Sequence, residues 1–594
     1  MERVGRRMRW LWVLVSALSL APPLRADDVV TKAMRDEMAR SKDMRLPGIE
    51  SPYFVAYRMQ DINDISITAN LGSLVSSDDT RSRLLHVELR VGSYKLDNTN
   101  FLSFANRQFG SFTGQQVTID DNYNQIRRQI WLSTDAEYKK AVQALAAKQA
   151  ALQNQSHVDD MPDFSEEHPN KYFEKANFVS VDVSALERAA RQISAVFRQM
   201  PELQSSKVTI NIHDVFTRYL NSEGTEYAKP SVMNFIEIKA EALAEDGLPL
   251  ENSEQLYLSS PAEILGPDML SRAEKVVDRL QKLRRAPSLD RYSGPVLFEG
   301  EAAPEIVAQL FAPAIVASRT PVTDNPQAQG FLQQMTATFA GGTLNDRVGG
   351  RVLPDFLTMV DNPQADSFEG QGLLGRYAVD EDGVPARVNT LVESGILKMV
   401  LSSRTPSAAA TQSTGSHRGL AAAPSNVIFS TNKANTEPEL RSMLLARAKA
   451  RGNEYGVIVR CAGTSVNEFI QAAMALMQGG GPTGNNLLEV YKLYPDGHEE
   501  LMHGEQLLSL TAASFKDIVA VGDKPVIYNS VFIPGFNELL TLGLTGDISD
   551  VTNMPVTTYV VPSLLFEEAT LRKASGPFPK PPVSDPPRLH SDSK

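Results

Sequence analysis

The spacing of apolar positions changes several times along the chain, and each change marks an element. Val30, Met34 and Met38 recur every four residues behind Asp27-Asp28, which predicts an amphipathic first helix with an acidic cap. From residue 53 to 96 the period drops to two. Residues 53–57, 65–68 and 85–91 read as strands, the first a continuous apolar run and the other two alternating. Residues 133–155 and 183–200 return to a helical pattern, and 207–212 alternates again. Residues 215–220 and 233–242 predict a hairpin around Asn221-Ser222-Glu223-Gly224. Residues 260–285 read as one long charged helix, capped by Ser260 with Pro261 at its first position and ended by Ala286-Pro287-Ser288.

Beyond that stop the pattern becomes β-rich. A strand at 294–298 precedes a helix at 303–316 that Pro313 interrupts. Short strands follow at 356–360, 375–379, 389–392 and 396–401, with Glu393-Ser394-Gly395 as a tight turn. A helix at 437–451 has Thr436 as its cap, Pro438 in its first turn and Gly452 after its end. Strands at 455–460 and 488–493 lead to a hairpin turn at Pro495-Asp496-Gly497. The expected fold class is α+β: an N-terminal mixed helix and antiparallel-sheet domain over 27–259, a helical connector over 260–292, and a β-rich, barrel-like C-terminal domain over 293–574.

The two ends differ from the rest. Arg3, Arg6, Arg7 and Arg9 precede a short apolar run that ends at Leu24-Arg25-Ala26, the pattern of a secretory signal peptide over 1–26. Residues 575–594 are rich in proline and polar residues and predict a disordered tail. The whole chain has 59 Lys+Arg and 71 Asp+Glu, a net charge of −12. Removing the five Arg and one Glu of 1–26 leaves 54 basic and 70 acidic residues, a net of −16. A protein this acidic is not built to bind nucleic acid, and no later run is long and apolar enough to span a membrane. The expected location is therefore periplasmic or extracellular, with no membrane span once the signal is removed. The single cysteine excludes an intrachain disulfide and a cysteine-rich zinc site.

Several landmarks then occur in a particular order. They are Asn221-Ser222-Glu223-Gly224, Asp361-Asn362-Pro363, Gly370-Gln371-Gly372, residues 380–385, residues 391–397, Thr414-Gly415-Ser416-His417-Arg418, Ile548-Ser549-Asp550 and residues 561–568. This ordered set resembles the TldD/PmbA family, also called the modulator-of-DNA-gyrase or U62-type metallopeptidase family. The resemblance implies a zinc peptidase helix carrying His-Glu-x-x-x-His in TldD-like members. It implies loss of that motif in PmbA-like (TldE) members, which pair with a TldD-like subunit. It also implies a dimer around a chamber that admits unfolded peptides, bordered by the loop holding His417 and Arg418.

A zinc peptidase needs ligands that leave one coordination position open for water, and a carboxylate to take the water's proton. By the resemblance, the metal-binding positions fall on Ala308 and Pro313 and the general base on Gln309. None of these side chains can do that work, and no histidine lies between His213 and His417 to replace them. The segment His498-Glu499-Glu500-Leu501-Met502-His503 matches the motif literally, but it follows the turn at Gly497 and predicts a return strand. Residues five apart on a strand point to opposite faces and lie roughly 16 Å apart. His498, Glu499 and His503 therefore remain only alternative catalytic candidates, and no metal or cofactor is predicted, although active relatives use zinc. Cys461 at a strand end reads as packing, and the acidic turn 380–383 as a turn rather than a calcium loop. The glycine-rich stretch 478–484 lacks the Lys-Ser/Thr ending of a phosphate loop.

The expected function is that of an exported TldD/PmbA-type protein without its own zinc site. It would form a homodimer, or a heterodimer with a TldD-like subunit, and bind peptide or unfolded polypeptide during proteolysis. The alternatives are an active metallopeptidase with a non-standard metal site, and a non-enzymatic envelope structural or maturation factor.

Overall fold

Long alternating strands dominate the first half of the computed structural model. The structure describes residues 28–574 except 43, 46–50, 104–113, 154–159, 326, 329, 331, 333–341, 420, 464–484 and 536–553. The signal segment, the proline-rich tail, the glycine-rich stretch 478–484 and the Ile548-Ser549-Asp550 landmark lie outside the described residues.

The first helix, α1 (Val29–Ser41), begins where expected, with the Asp28 side chain accepting from the Thr31 amide. Strands β1 (Phe54–Asn70) and β2 (Ser73–Arg90) pair antiparallel along their whole length. The long helix α2 (Tyr123–Gln153) begins ten residues before the predicted start. Helix α3 (Val183–Ala195) continues only as a 3-10 turn over 196–199. Strands β3 (Ser205–Asn221) and β4 (Glu226–Leu243) join through the Asn221–Gly224 turn, and β5 (Pro249–Leu258) pairs with β4. Their order is β2-β1-β3-β4-β5, with short strands on the flanks.

Strand parity sends alternate residues to opposite faces of this sheet. Val55, Tyr57 and Met59 of β1 pack against α1 and α2. Further along the same face, Ile65 and Ile67 join Val208, Ile210, Ile236 and Ile238 against α3 and the next helix, α4 (Asp268–Leu283). Helix α4 is shorter than the predicted 260–285. Ser260 does cap, in a box with Glu263, but it caps a 3-10 turn over 261–265. Gly266, in an extended conformation, and Pro267 separate that turn from α4, because a helix rarely continues through the residue before a proline. The opposite face of β1 carries Phe54 and Ala56, which pack with Phe164, Tyr219, Tyr227 and Val379. This face meets the second half of the chain.

The second half forms a larger sheet. Its strands are β6 (Arg291–Phe298), β7 (Leu357–Asp361), β8 (Asn389–Glu393), β9 (Ile396–Leu397), β10 (Asn426–Thr431), β11 (Gly456–Cys461), β12 (Glu489–Leu493), β13 (Glu499–Met502), β14 (Ile518–Val531) and β15 (Val556–Lys573). The path runs β9-β8-β7-β10-β15-β6-β11-β12-β13, with β14 also paired to β15. Among the described residues this sheet has two open ends. The expected barrel-like closure is therefore corrected to an open, mixed sheet. Its core gathers Val296, Phe298, Leu357, Met359, Val427, Val459, Val561, Leu564 and Phe566, all essentially inaccessible. The predicted strand at 375–379 contributes only an isolated bridge, Val379 to Pro385. Helix α6 (Glu437–Ala450) follows a short α5 described below, and starts at the predicted cap Thr436, which forms a capping box with Glu439.

The β8–β9 turn shows why glycine stands at 395. Ser394 and Gly395 both have positive φ, 47° and 81°, as a two-residue type I′ hairpin requires. A Cβ on Gly395 would lie 2.3 Å from the Leu353 carbonyl oxygen. Gly395→Ala is expected to destabilise the protein by roughly 2–4 kcal/mol, read as a lower urea midpoint.

Candidate functional site

The segment after β6 is where the resemblance places zinc chemistry. Gly300, at φ 62°, turns the chain into α5 (Ala302–Ile306). The next turn widens to a π-helix over Val307–Phe311, and the Ala312 amide donates to the Val307 carbonyl at 2.8 Å. Pro313 brings no N–H, and its ring would press on the carbonyl four residues back, so a regular helix cannot pass through it. The chain tightens instead into a 3-10 turn, Pro313–Ile315. The helix predicted over 303–316 does break at Pro313, and what precedes the break is itself an α turn followed by a π turn. Ala308 and Gln309 are half-buried and Pro313 is buried. A methyl, an amide and a pyrrolidine ring do not suit a zinc ion, so the residues present do not fit the metal the family would imply. Among the described residues, no group of three or more His, Cys, Asp or Glu side chains is arranged to hold a metal ion.

The same segment carries Glu305, which the sequence reading did not single out. Its buried carboxyl accepts from the backbone amides of Ala462 at 2.5 Å and Gly463 at 3.4 Å, just past β11. The Cys461 Sγ lies 3.7 Å from its other oxygen. Burial pushes the Glu305 carboxyl up to about 8 and moves the Cys461 thiol well above its ordinary range. Glu305 is therefore a carboxylic acid at neutral pH, and Cys461 is not a reactive thiolate. An acidic residue in the apolar run Ala302-Ala303-Pro304-Glu305-Ile306-Val307 was the available signal.

The literal motif match is not assembled into a site. Strand β13 pairs back onto β12, with Leu493 opposite Glu499. His498 stacks on Tyr494 with ring centroids 5.9 Å apart. Glu499 pairs with Arg441 at 2.8 Å and Arg460 at 2.9 Å. The buried His503 meets the Ala286 carbonyl through Nδ1 at 2.6 Å, with Asp246 3.4 Å from its Nε2. The three side chains thus face three separate sets of partners.

His417 and Arg418 lie in a denser cluster, where the first sheet meets the second half of the chain. On the first sheet, Arg58, Tyr219 and Tyr227 are direct cross-strand neighbours. Lys229 is two residues beyond Tyr227 on the same face. Against them sits the turn 380–383. The Glu381 carbonyl accepts from Arg58 and from the Tyr227 hydroxyl, each at 3.1 Å, and Lys229 donates to the Val379 carbonyl at 2.8 Å. Gly383 fits close to this sheet, since a Cβ there would lie 2.4 Å from Thr225 Cγ2. Asp380 accepts from the amides of Asp382 (2.9 Å), Val384 (2.8 Å) and His417 (3.1 Å). The His417 Nδ1 lies 2.9 Å from the Asp382 carboxylate. Arg418 donates to the carbonyls of Pro424 and Val556. Arg404, almost inaccessible, forms a forked pair with Glu223 at 2.6 and 2.8 Å and donates twice to the Ser165 carbonyl.

Burial raises the Asp380 carboxyl, and the adjacent Asp382 charge raises it further, to about 7. For Asp382 burial acts in the same sense, but the charge of His417 reverses it and holds the group well below its ordinary value. Burial disfavours the His417 proton, yet Asp382 outweighs it and the net shift is upward. Three of the sequence landmarks, the Asn221 turn, the turn at 380–385 and the loop at His417, therefore converge on one joint, although they are far apart in the chain.

The described residues define a two-sheet α+β protein whose second sheet begins at β6. Residues 291–467 match the family model of the PmbA/TldA metallopeptidase C-terminal domain. Over those residues the chain carries a domain of the TldD/PmbA family. Among solved structures it is similar to a protein of Thermotoga maritima designated a modulator of a DNA gyrase. That match covers 91% of this chain and 99% of the other, at 14% identity and a TM-score of 0.54. It is also similar to TldE from Thermococcus kodakarensis, with the same coverage and identity and a TM-score of 0.53. At this identity the likeness establishes the fold. No curated protein matches the chain. Among the described residues, no helix is long and apolar enough to cross a membrane.

Proposed function

We propose that this protein is an exported TldD/PmbA-family subunit that lacks a zinc centre and serves proteolysis as a peptide-binding or partner subunit. One observation supports the reading: the segment that carries Ala308, Gln309 and Pro313, the positions to which the resemblance assigns the zinc chemistry, is broken into α, π and 3-10 turns and offers no ligand side chain there. A partner that keeps His-Glu-x-x-x-His would supply hydrolysis, in a homologous heterodimer. The basic and apolar pattern of residues 1–26 supports export, with the mature chain starting after Ala26.

The test is metal analysis and peptidase assay of the mature protein, alone and co-expressed with a motif-bearing homologue. The expected result is no stoichiometric zinc and no hydrolysis alone, with co-purification and hydrolysis when the homologue is present. Stoichiometric zinc that disappears on His498→Ala would instead establish a non-standard metallopeptidase. Isolation always alone, with no peptide bound, would favour a structural role in the envelope. N-terminal sequencing of the protein from the envelope fraction checks the export step.

A further inference from the structure

The cluster around His417 joins the two halves of the chain through groups of opposite charge that are largely closed off from water. Asp380 and Asp382 lie on one turn, and the His417 ring is set against the second of them. That turn is itself the piece held by Arg58, Tyr227 and Lys229 of the first sheet. Any change in its charge is therefore felt at the contact between the halves. We propose that Asp380, Asp382 and His417 form a pH-responsive latch that holds the first sheet against the second half of the chain in mildly acidic solution and loosens as the solution becomes alkaline.

The surrounding groups decide the direction. From the first sheet, Arg58 and Lys229 face the Glu381 carboxylate at 3.6 and 3.4 Å. Burial and Arg58 hold the nearby His86 down at about 4, so it stays neutral across the range of interest. Burial pushes the phenols of Tyr219, Tyr227 and Tyr377 up, and they stay neutral too. Arg404 remains cationic and is engaged by Glu223; Arg418, also a guanidinium, faces Asp361 from the second sheet. Burial raises Asp361 to about 6.

Asp361, Asp380 and His417 all have folded values raised above their ordinary ones, Asp361 to about 6 and Asp380 to about 7. Stability from a raised group is fully present below its unfolded value and is lost as pH rises through the folded value. Loss of the His417 proton leaves Asp382 without its cation. Loss of the Asp380 proton puts a second negative charge on the same turn. Both steps weaken the joint on the alkaline side. Glu381 and Asp382 shift the other way. Burial would raise Glu381, but Lys229 and Arg58 bring it down to about 2, so these two groups weaken the joint only in strong acid.

The experiment is limited proteolysis of the full mature chain between about pH 6 and pH 9, scored at residues 376–388 and normalised to cleavage of an unstructured peptide of the same sequence. Cleavage of the wild type is expected to rise about tenfold over that range, the effect of about 1.4 kcal/mol on a local opening equilibrium. Asp380→Asn keeps an acceptor for the three amides but cannot ionise, so it should remove a large part of the rise. His417→Gln should raise cleavage already at pH 6 and flatten the profile. A wild-type profile that is flat, or one that both variants reproduce unchanged, overturns the proposal. Small-angle scattering on the same samples gives a second reading, with an alkaline increase in radius of gyration expected for the wild type and not for Asp380→Asn.

Discussion

Arg404→Ala is expected to destabilise the protein by about 3–5 kcal/mol, the size of effect seen when one partner of a buried ion pair is removed. Arg404 heads the largest fully buried side chains. Its guanidinium sits 3.9 Å from the Phe164 ring centroid and 5.3 Å from that of Phe54. Truncation leaves a cavity beside both rings, strips two donors from the Ser165 carbonyl and leaves Glu223 with the Tyr94 hydroxyl, at 2.6 Å, as its remaining strong donor outside its own turn. Arg404→Lys should recover only part of the loss, because one ammonium cannot reproduce a forked pair and two further bonds at once. Urea unfolding followed by near-ultraviolet circular dichroism checks both variants. An alanine variant within about 1 kcal/mol of wild type would show that this joint contributes little to stability.

Glu305→Gln is expected to act in the opposite sense. Gln keeps an oxygen for the Ala462 and Gly463 amides and removes the ionisable group. In the wild type the folded value of about 8 lies above the ordinary 4.5, so wild-type stability is fullest below about pH 4.5 and falls as pH rises toward 8. The variant should lack that fall. Its advantage should be small in acid, grow between those limits and level off above pH 8 at about 2–4 kcal/mol. Denaturant midpoints of both proteins between about pH 5 and pH 9 test this. Parallel profiles would show that Glu305 does not retain its proton in the folded state.

The parts of this fold that were legible in the sequence rest on local chemistry. The Asp28 and Thr436 caps, the Ser394-Gly395 and Pro495–Gly497 turns, and the alternation in β1 and β2 each involve residues within a few positions of one another. The strands were longer than expected because polar residues such as Asn63 and Asp64 continue the ladder, opposite Asp214 and His213. Pro313 announced a break in the helix, but the widened turn before it depends on how that segment packs. Glu305 and His417 were harder still. Glu305 acquires its character from amides 157 and 158 residues away, and His417 from a carboxylate on another loop. Nothing in the local spacing of either residue specifies those partners. The open edge of the second sheet likewise follows from strand order, which short strands of similar composition do not encode.

The order of the second sheet also bears on how the protein is made. Strand β15, at its centre, is the last strand synthesised among the described residues, and it pairs with β6, β10 and β14. Before β15 emerges from the ribosome, β6 can join β11, β12 and β13, while β7 can join β8, β9 and β10. These two assemblies share no ladder among the described residues until residues 556–573 arrive between them. Each meanwhile presents an unpaired edge, the kind of surface that recruits other chains. A premature stop even shortly before residue 556 would thus release two half-sheets instead of a slightly shortened protein.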